Sequence, residues 1–175
     1  MTPTVEQTFE RIRQVRTRFK LRLQPPADDA AIDRVQGECQ SRFGLSIPTR
    51  YVHLLRIADG VEDNGARFYG SMRRTFTEHP DRGIPGILDE TATWWHRWKQ
   101  LMLGNIEDQL FCYDHSTDEY HVWNVSGNEP YRRFKEFDEL FAYAFDESRL
   151  YIPDLPPPPD WSRFAEGEDQ KTGQV

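Results

Sequence analysis

Asp114, His115, Asp118, Glu119 and His121 form the densest set of metal-competent side chains in the chain. Carboxylates and imidazoles of this kind suit hard or borderline cations. The set brackets a hairpin turn, however, where Asp, Ser and Thr serve the backbone. His115 falls in the turn, and period two places His121 on the face opposite Tyr120 and Val122. The five need not converge, so neither a metal nor any other cofactor is expected. No HExxH, paired CxxC or EF-hand loop occurs elsewhere.

Nucleophilic chemistry has no better footing. There is no G-x-S-x-G. Cys112 lies in mid-strand with Leu110 on its face, which predicts burial and a raised thiol pKa. Cys39 and Cys112 are the only cysteines, too few for a disulfide framework, and both read as buried free thiols. Carboxylates are plentiful enough for a glycosidase-like pair to meet in space, but the bland reading is a solvated surface. Gly60, Gly65 and Gly70 are too widely spaced for a dinucleotide loop. No histidine is followed two residues later by Glu, as a zinc deaminase requires. The expectation is a protein without catalysis.

Three tryptophans are the sharpest aromatic signal. Trp94 and Trp98 share a helical face, whereas Trp95 lies about 100° around. Two of them are expected in the core. Trp95 is the candidate exposed anchor for a partner. Arg132-Arg133-x-Lys135 could touch a phosphate, but is read as balancing Glu136, Asp138 and Glu139 at a helix start.

These residues need elements to hold them. Thr4 and Gln7 have capping-box spacing, and Val5, Phe9, Ile12, Val15 and Phe19 predict a helix to about Lys20. Pro25-Pro26 breaks the chain. Asp28 or Asp29 can cap a second helix whose stripe is Ile32, Val35, Cys39 and Phe43. Phe68-Tyr69-Gly70 reads as a short strand and Asp81 to Gly86 as a turn-rich loop. Asp89 can cap the tryptophan helix. Strands follow at about 101–105, 109–114 and 119–124, then a loop at 126–130 and a last helix at about 136–147. After Tyr151 come Pro153 and Pro156 to Pro159, which read as extended polyproline leading into a flexible polar tail.

Between the second helix and the first strands lies Gly44-Leu45-Ser46-Ile47-Pro48-Thr49-Arg50-Tyr51-Val52-His53-Leu54-Leu55. Gly44 fits the left-handed position that closes a helix, and Pro48 the first turn of the next. Tyr51, Leu54, Leu55 and Ala58 recur at helical spacing until Asp59-Gly60 stops the run. Together with Leu101 to Ile106, Gln109 to Asp114, Glu119 to Trp123 and Phe134 to Phe141, the segment resembles the SUKH superfamily over about residues 28–147. The resemblance implies an α+β domain with no known catalytic centre. It also implies an immunity protein that binds and blocks a toxin made by the same cell.

The expected architecture is α+β, a single domain with a mixed or antiparallel sheet packed with helices. Residues 1–24 form an N-terminal helical extension, 28–150 the SUKH-like domain and 151–175 the Pro-rich tail. Gly44, Pro48, Tyr51, Leu54 and Gly60 are read as structural. The net charge of −7 argues against direct nucleic-acid binding and favours a basic protein partner. No segment is long and apolar enough for a membrane span, and Glu6 and Glu10 interrupt any signal-peptide pattern, so a cytoplasmic protein is expected. Residues 101–131 carry six acids and no Lys or Arg. The expected partner surface is therefore Asp114, Asp118 and Glu119 at the hairpin tip, Glu62 and Asp63 in the loop after the motif, and Trp95. Two alternatives are a small enzyme or ligand-sensing domain with a pocket near the Trp94–Trp98 helix, and a regulatory scaffold.

Overall fold

The structure, a computed structural model, describes residues 2–76 and 79–147. The Pro-rich tail and Trp161 lie outside the described residues. In chain order the elements are α1 (Val5–Arg18), α2 (Asp29–Phe43), α3 (Thr49–Ile57), β1 (Val61–Asp63), β2 (Ala66–Phe68), β3 (Arg74–Phe76) and β4 (His79–Ile84). There follow α4 (Ile87–Trp98), β5 (Leu101–Ile106), β6 (Gln109–Asp114), β7 (Glu119–Asn124), β8 (Pro130–Phe134) and α5 (Phe137–Glu147). The fold is α+β: a six-stranded sheet in the order β1-β2-β5-β6-β7-β8, with β3-β4 as a separate hairpin. Every strand ladder is antiparallel. Among the described residues parallel pairing is confined to a bridge between Gly70 and Gly86.

Local chemistry sets the helix ends. The Thr4 hydroxyl accepts the Gln7 N–H while the Gln7 side chain accepts the Thr4 N–H, the capping box its spacing predicts. Asp28 caps α2 by accepting the Ala31 N–H at 2.7 Å. Gly44 closes α2 at φ +69°, and Pro48 immediately precedes α3. Gly60 stands at φ +93°, and a Cβ there would meet Ile84 Cγ2 at 2.7 Å. The αL conformation and the close approach both demand glycine.

The core lies where α1, α3 and α5 cover one sheet face. Tyr51, Phe68, Phe111, Phe137 and Phe141 are essentially fully buried there. Phe68 stacks on Phe111 at 5.3 Å between ring centroids and meets Phe137 edge-on at 5.7 Å. The N-terminal helix belongs to this core, since Val5, Phe9 and Ile12 are buried in it. Arg50 on α3 ties it down, donating to Glu6 at 2.8 and 2.9 Å and to Asp138 of α5 at 2.8 and 3.1 Å.

Four local expectations are corrected. Asp81 to Gly86 is not a turn-rich loop: it is strand β4 as far as Ile84, with Gly83 paired to Thr75 in a short two-stranded ribbon where glycine is tolerated, and Pro85 and Gly86 follow the strand. α4 begins at Ile87 with Gly86 as its cap residue, so Asp89 lies in the first turn and is not the cap. The strand expected at Phe68 to Gly70 is Ala66–Phe68. Finally, β8 forms where a loop and helix start were expected, paired to β7 through Tyr120↔Phe134, His121↔Arg133 and Val122↔Arg132.

Candidate functional site

The hairpin tip between β6 and β7 holds the expected acidic cluster, and most of that cluster is already engaged. Asp114 Oδ1 accepts the Ser116 N–H at 2.8 Å and its hydroxyl at 2.6 Å. Burial pushes the Asp114 carboxyl up, but these donors, His121 and Gln100 outweigh it and hold it below its usual range. Glu119 is held low chiefly by Lys135, 2.5 Å away, with His121 adding to it. Asp118 is exposed and accepts the Tyr113 hydroxyl. Burial, then this carboxylate, raises that phenol to about 12. His115 folds back over Tyr113, with ring centroids 4.6 Å apart.

His121 is buried in a network whose polarity can be read from one donor. Trp123 Nε1–H can only donate, and it donates to Gln100 Oε1 at 2.9 Å. The Gln100 amide nitrogen must then face Asp114 Oδ2 at 2.8 Å and His121 Nδ1 at 3.3 Å. The amide thus donates toward Nδ1, while Nε2 lies 3.5 Å from Glu119 Oε2. Asp114, Glu119 and His121 do approach one another. Even so, no group of three or more His, Cys, Asp or Glu among the described residues could hold a metal ion.

Glu62 and Asp63 are not loop residues. They form part of β1, and strand alternation sends them to opposite faces. Asp63 is buried against α1, where Arg16 reaches its Oδ1 at 3.3 Å. Burial raises its carboxyl in spite of Arg16. Arg16 also donates to the Glu62 carbonyl oxygen, so part of the basic first helix is neutralised inside the fold. Asp63 is thus withdrawn from any partner surface. Glu62 pairs with Arg67 at 3.5 Å on the other face.

More exposed acid is found at the opposite end of the sheet. Ala66 pairs with Ile106 and Gln109 with Asn124, which brings the β1–β2, β5–β6 and β7–β8 turns to one edge. Glu107, Asp108 and Glu129 are exposed there. Asp108 is tied to β7 by the Asn124 side chain at 2.9 Å and by the Val125 N–H at 2.9 Å. Glu107 and Glu129 make no ion pair among the described residues. Glu107 has φ +49°, a conformation glycine or asparagine would adopt more readily. Nothing in the turn's backbone requires an acid at that position.

Next to this edge, α4 leaves a cleft of about 420 Å3 lined by Arg97, Trp98, Gln100, Trp123, Gly127 and Asn128. Trp98 lies against both Trp94 at 5.2 Å and Trp123 at 5.4 Å. Arg97 covers the Trp98 ring at 4.6 Å and donates to the carbonyls of Val125 and Gly127. Trp95 is half-buried and packs on Phe43 of α2 at 4.9 Å. The aromatic lining of the cleft is therefore half-buried Trp98 laid against buried Trp123. The sequence could not show this, because it depends on which strand lies under α4.

The thiols are poor nucleophiles. Burial raises Cys39 to about 11 and Cys112 higher still. Asp59, wholly buried, is consumed by Arg74 at 2.6 Å and by the Ser71 N–H and hydroxyl. No helix among the described residues is long and apolar enough to cross a membrane. No protein-family model matches the chain, and no curated protein matches it.

Proposed function

We propose that the chain is a non-catalytic binding module that neutralises a basic partner protein by covering it. In the specific form that the SUKH resemblance implies, it is a cytoplasmic immunity protein against a toxin, one that acts on nucleic acid and is therefore basic at its substrate site. The observation that carries this reading is the acidic turn edge. Glu107 and Glu129 stand exposed there without an ion pair among the described residues, whereas the carboxylates at Asp59, Asp63 and Asp114 are bound up in the fold. Exposed charge of one sign at an edge speeds encounter with a partner of opposite sign. The aromatic cleft beside it supplies surface that can be desolvated.

The experiment is co-purification of the full chain with the protein encoded beside it, followed by rescue of cells expressing that protein. Capture and rescue support the reading. A purified chain that turns over a substrate, with turnover abolished by one substitution that leaves folding intact, would contradict it. The cleft of about 420 Å3 favours a second reading, a domain that senses a small ligand beside Trp98. A saturable change in tryptophan fluorescence with a small molecule, without capture of any protein, would select it.

A further inference from the structure

We propose that the open edge of β8, with the Trp98–Trp123 cleft beside it, is a docking site for an extended acidic segment of a partner protein. This goes beyond the neutralisation reading, which draws on the same cleft but takes its charge from the acidic turns and not from β8. β8 ends the sheet order, so among the described residues one side of its backbone meets no strand. Tyr131, Arg132 and Arg133 are all exposed along it. The bulge between Val122 and Trp123 leaves Tyr131 out of register and 61% exposed. Pro130, its neighbour, pairs with Trp123, which lines the cleft. Exposed Tyr and Arg beside paired Trp is the residue chemistry of interface hot spots.

Arg132 lies over the Tyr143 ring of α5 at 4.7 Å, but the acids at the start of that helix are engaged elsewhere. Asp138 is held by Arg50 at 2.8 Å, and Glu139 accepts the N–H groups of Lys135 and Glu136 at 3.3 Å. Lys135 pairs with Glu119. Arg133, the register partner of His121, makes no ion pair among the described residues. An acidic chain thus carries one strand edge that is basic from Arg132 to Lys135, with no acid in that stretch.

The occupant follows from these charges. Two β8 edges laid together would set Arg against Arg, so the edge resists its own kind. A strand bearing Asp or Glu meets no such penalty, and it can answer the open N–H and C=O groups as a nucleic acid cannot.

The test uses the full chain with three probes: a synthetic peptide alternating Glu with Val and Tyr, its Lys-for-Glu counterpart, and oligo-dT. Tryptophan fluorescence reports binding, and amide hydrogen exchange reports protection at residues 130–134. The acidic peptide is expected to bind and to slow exchange there. Arg133→Glu should weaken it about tenfold or more, and Tyr131→Ala should also weaken it. Both positions are exposed, and thermal melting confirms the fold of each variant. Equal binding of the Lys peptide, binding of oligo-dT in place of the acidic peptide, or no protection of the β8 amides would overturn the proposal. Arg133→Glu should still neutralise the toxin, so loss of peptide binding alone sinks this site and not the neutralisation reading.

Discussion

The Tyr51 hydroxyl lies 2.7 Å from the Tyr69 carbonyl oxygen, joining the middle of α3 to the chain just beyond β2. Leu103 O is equally close at 2.8 Å, but it also accepts the Tyr69 N–H. One phenolic proton cannot serve both carbonyls fully, and the Tyr69 oxygen is the one that depends on it. Tyr51→Phe should therefore cost about 1–3 kcal/mol, the penalty of an orphaned buried acceptor. Urea unfolding checks this, and a variant as stable as the parent would show that the carbonyl has another donor.

Gly44 and Gly60 separate two reasons for glycine. A Cβ at Gly44 meets nothing within 4 Å, so Gly44→Ala should cost only backbone strain, about 1 kcal/mol. At Gly60 the same change adds a collision with Ile84 and a close approach to the Gly70 backbone. Gly60→Ala should lower the thermal midpoint clearly more than Gly44→Ala, and the reverse order would refute the packing argument.

Gln100→Ala removes the acceptor for Trp123 Nε1–H and the donor to both Asp114 and His121. About 1–3 kcal/mol of stability should be lost, along with a change in tryptophan emission. Asp118→Ala, at a turn position with φ +54° that accepts the Tyr113 hydroxyl, should cost about 1 kcal/mol despite its exposure.

The Glu6 carboxyl is lowered from an ordinary 4.5 to about 2, chiefly by its hydrogen bonds from Arg50. A carboxylate depressed in the folded state stabilises it above pH 4.5. That contribution is lost as pH falls from 4.5 through about 2. Glu6 is nearly half exposed, so solvent screening limits the effect to about 1 kcal/mol or less. Denaturant midpoints measured down this pH range should fall less steeply in Glu6→Gln than in the parent.

Periodicity made part of this fold legible. The α2 stripe of Ile32, Val35 and Cys39 repeats often enough to fix element and face, and the short, largely apolar runs of β6 and β7 mark strands buried on both faces. β1, β2 and β3 have three residues each, too few for a period to show. β8 carries charges where a buried strand would carry apolar residues, so it read as a helix approach. The site suffered for the same reasons. Glu62 and Asp63 look like equivalent loop acids until β1 is known, and then one of them is buried against Arg16. Within residues 101–131 the turn richest in carboxylates, between β6 and β7, is the one whose acids are most engaged.

The most direct measurement of the central claim is the association rate of the chain with its toxin, by stopped flow at low and high salt. Glu107→Lys with Glu129→Lys should slow association and flatten its salt dependence, because long-range steering between exposed charges is what salt screens. Asp63→Asn, altering a carboxylate buried under α1, should leave the association rate of the folded protein unchanged. If the double-Lys variant associates at the parental rate at both salt concentrations, the acidic turn edge is not the surface that meets the partner, and the account is wrong.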